Sequence, residues 1–326
     1  MNGMIRGLGC LAFAGAVGLG PISGLEVVAE QPASKARDVL IVATFYPVYV
    51  MTLNITRDVP GVRVACMAPP ETGCLHHYQL RPEDLKTLAS AQILVANGAG
   101  MESFLAKAIK QAPHLKVIEA CRGIDLIREG DGEHGDYEDH GSHPGHDHHG
   151  RQGQPNPHVW VSVTGAIAQV NSIAGQLGKA DPARAAAYRK NAGVYVAKLE
   201  ALRARMHEGL RDAKGVPIIT FHEAFPYFAR EFGLKIAGVV EQQPGTEPSA
   251  GELAALVRTV RRMKVKALFA EPQYPVQAAE TIARETGIKV YMLDPAVAGP
   301  MDPPEVYDAY IRTMENNLLV LEKALK

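Results

Sequence analysis

The run DPARAAAYRKNAGVYVAKLEALRARMHEGLRD, from Asp181 to Asp212, decides the architecture. Asp181 has the short acceptor side chain of a helix N-cap, and Pro182 suits the first helical position, where no N–H is needed. Beyond them Ala185, Tyr188, Ala192, Tyr195, Leu199, Leu202 and Met206 recur at three- and four-residue steps and make one apolar stripe. At ~1.5 Å per residue a helix over this run is a rod about 45 Å long. Such a rod predicts a strut that spans the molecule and joins two lobes.

The flanks repeat one another in kind. Upstream, apolar and β-branched runs at 39–45, 62–67, 93–96 and 117–119 predict strands. Helical patterns lie between and after them at 81–91, 101–111 and 164–177, the first with Pro82, Glu83 and Asp84 in its opening turn. Downstream, strands are predicted at 216–221, 236–240, 267–270 and 290–293, with helices at 223–232, 252–263, 276–285 and from 304 to the end. Fully apolar strands alternating with helices predict parallel sheets covered on both faces. The expected fold class is therefore α/β: two lobes, each a parallel β-sheet flanked by helices, joined by a long rigid helix. The expected boundaries are 30–180, 181–212 for the linking helix, and 213–326. A chain of 326 residues, 47% hydrophobic, is long and apolar enough for two cores.

Residues 1–29 read as an export signal. Arg6 is followed by an apolar Gly/Ala-rich stretch, the break Gly20-Pro21, and the small-residue site Val27-Val28-Ala29. The stretch is too short for a membrane span. Cys10 follows Gly7-Leu8-Gly9, a poor lipoprotein box, so lipid anchoring is disfavoured and a periplasmic location is expected. Cys66, Cys74 and Cys121 then remain, enough for one disulfide and one leftover thiol, at a spacing that fits no structural zinc knot. A formal charge of −1 without a basic stripe excludes nucleic acid as a partner.

Ligands of open parallel sheets bind beyond the carboxyl ends of the strands. Metal-competent residues at such ends are His222, after the strand 216–221, and Asp294, after 290–293. His76 lies in the loop after 62–67, and His158 stands where hydrophobic patterning resumes after a polar insert. Three imidazoles and a carboxylate form an acceptable zinc shell. His77, Glu223 and Glu271 stay open as alternatives, and a lone histidine at a strand end is more often an ordinary hydrogen-bonded residue.

The surrounding motifs narrow this choice. The segment from Gly73-Cys74-Leu75-His76-His77-Tyr78 to Arg81-Pro82-Glu83-Asp84 resembles the first-ligand loop of the zinc-binding solute-binding proteins of ABC transporters, the ZnuA-like cluster A-I family. Asn156-Pro157-His158-Val159-Trp160 resembles the second-ligand segment, Phe221-His222-Glu223-Ala224-Phe225-Pro226 the third, and Tyr291-Met292-Leu293-Asp294-Pro295 the fourth. Ala43-Thr44-Phe45-Tyr46-Pro47 and Ala270-Glu271-Pro272-Gln273 add to the likeness, which runs in order from about residue 38 to 326. The resemblance implies the ligand set His76, His158, His222 and Asp294. It implies zinc over manganese, because manganese-binding members carry Glu where His222 stands, and imidazole suits zinc where hard oxygens suit manganese. Some zinc-binding members replace the fourth carboxylate with water or a nearby Glu.

His134, His140, His143, His146, His148 and His149 crowd the insert 129–157 among acidic residues. So few apolar residues predict a disordered segment, and imidazoles with carboxylates predict a weak metal-collecting arm, as this family often carries there. The bland alternative is a solvated linker. The functional expectation is Zn2+ capture as transported ligand by a monomer, and delivery to an ABC-type permease of the inner membrane. Rival readings are manganese or iron uptake on the same fold, a zinc buffer or metallochaperone, and a zinc hydrolase. The last lacks an HExxH motif and an assigned general base, so the expectation is not an enzyme.

Overall fold

The computed structural model describes residues 38–128, 153–241 and 247–326. The export segment 1–29, Cys10 and the histidines at 134, 140, 143, 146, 148 and 149 lie outside these. The first sheet is built from β1 (Val39–Ala43), β2 (Val62–Cys66), β3 (Ile93–Ala96) and β4 (Lys116–Glu119). Its spatial order is β2-β1-β3-β4 and every pairing is parallel. The second sheet, from β5 (Pro217–Thr220), β6 (Lys235–Val239), β7 (Ala267–Ala270) and β8 (Lys289–Met292), repeats that plan as β6-β5-β7-β8, again all parallel. Central strands β3 and β7 are buried at every position, which explains their unbroken apolar sequence.

Helices cover the sheets: α1 (Tyr46–Thr56), α2 (Pro82–Ser90), α3 (Ala106–Gln111) and α4 (Val163–Ala180) in the first half. In the second half they are α6 (Pro226–Phe232), α7 (Ala250–Met263), α8 (Gln277–Thr286) and α9 (Ala309–Leu325). Between the halves runs α5 (Ala185–Gly209), with short 3-10 turns at Pro182–Arg184 and Arg211–Ala213. Its buried residues are Tyr188, Ala192, Tyr195, Leu199, Leu202 and Met206, the stripe read from the sequence. The rod is shorter than 181–212 because its opening turn is 3-10. Asp181 there does not cap an amide but accepts from Arg184 and from the Tyr188 hydroxyl.

Helix α1 escapes a periodicity search. All of its residues except Leu53 are buried, so it has no polar face, and Val48, Val50, Thr52, Ile55 and Thr56 read as strand-like by composition. Its polar side chains are reconciled with burial by bonding backward: Thr52 to the Val48 carbonyl, Asn54 to Val50, Thr56 to Thr52.

One core runs through both halves, and polar ties pin them together. Trp160, fully buried, stacks edge-on against Phe45 at 5.0 Å and donates its indole N–H to the Pro295 carbonyl at 2.8 Å. Tyr310 donates to the Trp160 carbonyl, Tyr46 to that of Pro300, and Asn54 to that of Tyr307. Glu231 accepts from the hydroxyls of Ser162 (2.5 Å) and Thr164 (2.6 Å) at the start of α4.

Two expectations need correction. The insert does not stay unstructured to residue 157: Arg128 and Pro155 form an antiparallel bridge, and the Asn156 amide donates to the Ile127 carbonyl. No disulfide forms among the described residues, and Cys66, Cys74 and Cys121 are free thiols. Each outer thiol has another partner, Cys66 donating to the Ala68 carbonyl and Cys121 accepting from Gln169. Burial pushes both up to about 12, which keeps the thiols protonated.

Candidate metal site

Both sheets change direction of winding at their centre, between β1 and β3 and between β5 and β7, and parallel sheets of this kind take ligands beyond the strand ends at that place. His222 leaves β5 two residues after Thr220, and Glu271 leaves β7 directly after Ala270. Adjacent strands thus bring a histidine and a carboxylate from positions far apart in sequence into contact. Glu271 Oε1 accepts from His222 Nδ1 at 2.6 Å and from the His222 amide at 3.1 Å. Both residues are at most 1% exposed.

The first half supplies His158 and the loop after β2. His158 is 2% exposed, and its Nδ1 lies 3.1 Å from the Asn156 Oδ1, which also accepts the His158 amide. Asn156 itself is held across the halves, donating to the Glu223 carbonyl, while its own carbonyl accepts from Tyr227. The loop carries a 3-10 turn, Leu75–His77, anchored by fully buried Leu75, with Cys74 as its N-cap. Past the turn Tyr78 and Arg81 close on the carboxylate of Asp84, which is 2% exposed.

With Nδ1 of His158 and of His222 engaged, their Nε2 atoms turn inward. His76 Nε2 lies 3.0 Å from His158 Nε2, and the Cys74 Sγ lies 3.7 Å from His222 Nε2. One ligand atom from each of Cys74, His76, His158 and His222 falls within 4.8 Å of every other. Tetrahedral zinc with Zn–N of ~2.0–2.1 Å and Zn–S of ~2.3 Å separates N from N by about 3.3 Å and N from S by about 3.6 Å. The donor set suits such an ion in type, and the His76–His158 and Cys74–His222 separations lie close to these values.

Electrostatics differ between the two buried imidazoles. Burial, with repulsion from His222 and His76, holds His158 well below its usual value, so its ring is neutral. At His222 burial pulls the same way, but the Glu271 carboxylate outweighs it and raises the imidazole to about 10. Burial raises Glu271 as well, with the facing imidazole as the offset. The hydrogen bond to Glu271 occupies His222 Nδ1 and leaves Nε2 as the ring nitrogen turned toward Cys74.

Asp294 is not among these converging donors. Its Oδ1 accepts from the Ala296 amide at 2.8 Å in a tight turn with Ala296 at positive φ, and Gln273 hydrogen-bonds the carboxylate. The Asn317 side chain clamps its backbone on both sides. Sequence reasoning brought three of the four converging side chains forward. Cys74 was passed over because it was weighed as a disulfide partner, although it sits two residues from His76. Asn156 adjoins His158 in its motif, but nothing local signals its bond to the ring.

Residues 41–324 match the family model described as zinc-uptake complex component A, periplasmic. The chain belongs to this family. It is 33% identical over 285 residues to the zinc-binding lipoprotein AdcA of Streptococcus pneumoniae. That alignment covers 87% of this chain and 55% of AdcA, so the chain spans about half the length of that relative. It is 32% identical over 294 residues to the high-affinity zinc uptake system protein ZnuA of Bacillus subtilis, covering 90% of this chain and 89% of that one. Among solved structures, the SBP FpvC of P. aeruginosa with Ni2+ superposes with a TM-score of 0.73 at 32% identity, over 89% of this chain and 97% of that one. No described helix is long and apolar enough to cross a membrane.

Proposed function

We propose that the chain captures zinc in the crevice between its two halves and delivers it to an ABC-type permease. His76, His158 and His222 would supply the nitrogen ligands. The observation that carries this reading is the convergence of their inward-facing donor atoms with Cys74 within 4.8 Å, from both halves. Borderline-soft donors favour zinc over manganese or magnesium, which prefer oxygen. The names of the zinc-binding and zinc-uptake relatives support the same assignment. Export through residues 1–29 would place the protein in the periplasm as a monomer. The histidines of the insert, from His134 to His149, would act as an accessory collecting segment.

The ties through Trp160, Tyr310, Asn54 and Glu231, with α5 spanning both halves, leave little room for a hinge. Capture and release would then use a shift of the loop bearing His76 rather than closure of whole lobes. Nothing in the arrangement requires a reaction: zinc is cargo, and Glu271 is engaged in orienting His222 rather than poised over a bound water.

Isothermal titration of zinc into the chain lacking residues 1–29, with and without 131–152, tests the assignment. One tight site that survives the deletion and disappears in His222→Ala is expected. Loss of all tight binding on deletion alone would put the site in the insert and make the protein a buffer.

A further inference from the structure

We propose that the Cys74 thiolate, not the Asp294 carboxylate, is the fourth zinc ligand in this chain, giving the cleft a donor set of three imidazole nitrogens and one sulfur. The inference rests on the zinc reading above and sharpens its site. Three observations lead to it. The Sγ atom stands 3.7 Å from His222 Nε2, close to the ~3.6 Å that a shared tetrahedral zinc imposes on sulfur and nitrogen. Its donor atom belongs to the single converging group among the described residues, and no carboxylate does. Asp294 is outside that group, with its Oδ1 accepting from the Ala296 amide, Gln273 bonded to the carboxylate and its backbone fixed by Asn317.

Placement favours the thiol further. Cys74 caps the same 3-10 turn that carries His76, so one rigid turn over buried Leu75 presents both donors together. Cys74 also lines an open cavity of about 500 Å3 with Pro69, Thr72, Tyr78, Gln79 and Arg81. On binding, the S–Zn bond forms as the S–H bond breaks, with the proton released to water and no change of oxidation state. A thiolate shifts the site toward soft and borderline cations, so discrimination against manganese becomes stronger than an oxygen ligand would provide. Asp294 then acts as a positioning residue for the 294–297 turn.

Cobalt(II) in place of zinc reads the ligand directly, because thiolate bound to cobalt gives an intense near-ultraviolet charge-transfer band that imidazole and carboxylate do not. The full chain without residues 1–29 is loaded with Co2+ as the wild type, Cys74→Ser and Asp294→Asn, and each is then titrated with zinc. The band is expected in the wild type and Asp294→Asn and absent in Cys74→Ser, whose zinc affinity falls by roughly 10-fold or more. A wild type that binds cobalt without the band overturns the proposal, as does a band that survives in Cys74→Ser. Zinc affinity unchanged in His158→Ala and His222→Ala would instead refute the cleft site itself, which separates the two failures.

Discussion

The two sheets share one strand order, and both place a glutamate at the central change of winding, yet the two carboxylates do different things. In the first half Glu102 turns back on its own sheet, accepting from the Thr44 hydroxyl and from the amides of Asn97 and Gly98 at 2.7–3.0 Å. It satisfies strand ends and closes the crevice from within. In the second half Glu271 accepts from His222, whose other ring nitrogen turns toward Cys74. The same topology therefore sets a carboxylate against backbone amides in one half and against an imidazole in the other. The first half makes up the difference from its loops, which bring Cys74, His76 and His158 across.

The comparison can be broken in order of expected effect. His222→Ala removes a donor at the open position and should lower zinc affinity by more than the ~10–100-fold typical of groups that only orient a ligand. Competition against a chelator of known affinity measures it. Glu271→Gln keeps an acceptor for Nδ1 but removes the charge, and should cost about 10-fold, toward the lower end of that range. An affinity equal to the wild type would show that Glu271 does not tune His222.

Glu102→Ala should leave zinc affinity unchanged and lower stability by about 1–3 kcal/mol, since three donors lose their acceptor. A drop in affinity without a drop in melting temperature would mean the first half's carboxylate reaches the site after all. The smallest effect belongs to Asp84, which braces the loop of Cys74 and His76. Burial raises its carboxyl, but Arg81 and the Tyr78 hydroxyl outweigh that and hold it below its usual value. A lowered folded value means the stabilisation is complete above about pH 4, the unfolded value, and is lost as pH falls through the folded one. Asp84→Asn should thus cost about 1–2 kcal/mol near neutrality and progressively less in acid. Thermal melts at pH 7 and pH 3 compare the two, and an undiminished gap at pH 3 would contradict the charge argument.

Much of this was legible in the residues. The stripe on α5 and the apolar strands declare the α/β plan because buried elements leave period and composition behind. His222 is a candidate because it ends a strand, and the motif Phe221-His222-Glu223-Ala224-Phe225-Pro226 around it is what sets it apart from other histidines so placed. What was hidden depended on contacts. Helix α1 is buried on every side and so carries no period. Cys74 reads as a disulfide candidate until the loop after β2 folds over β5. Asp294 reads as a ligand from its motif, and only the structure shows that one of its oxygens accepts from the Ala296 amide two residues on. Local hydrogen bonds of that kind decide whether a side chain is available, and no spacing motif reports them.

The central claim is that donors from both halves hold one zinc ion, and an anomalous-diffraction map at the zinc edge from zinc-loaded crystals tests it most directly. The account predicts one strong peak at ~2.0–2.1 Å from Nε2 of His76, His158 and His222 alike. A peak bound through residues of one half only, or sitting away from His222, would contradict it.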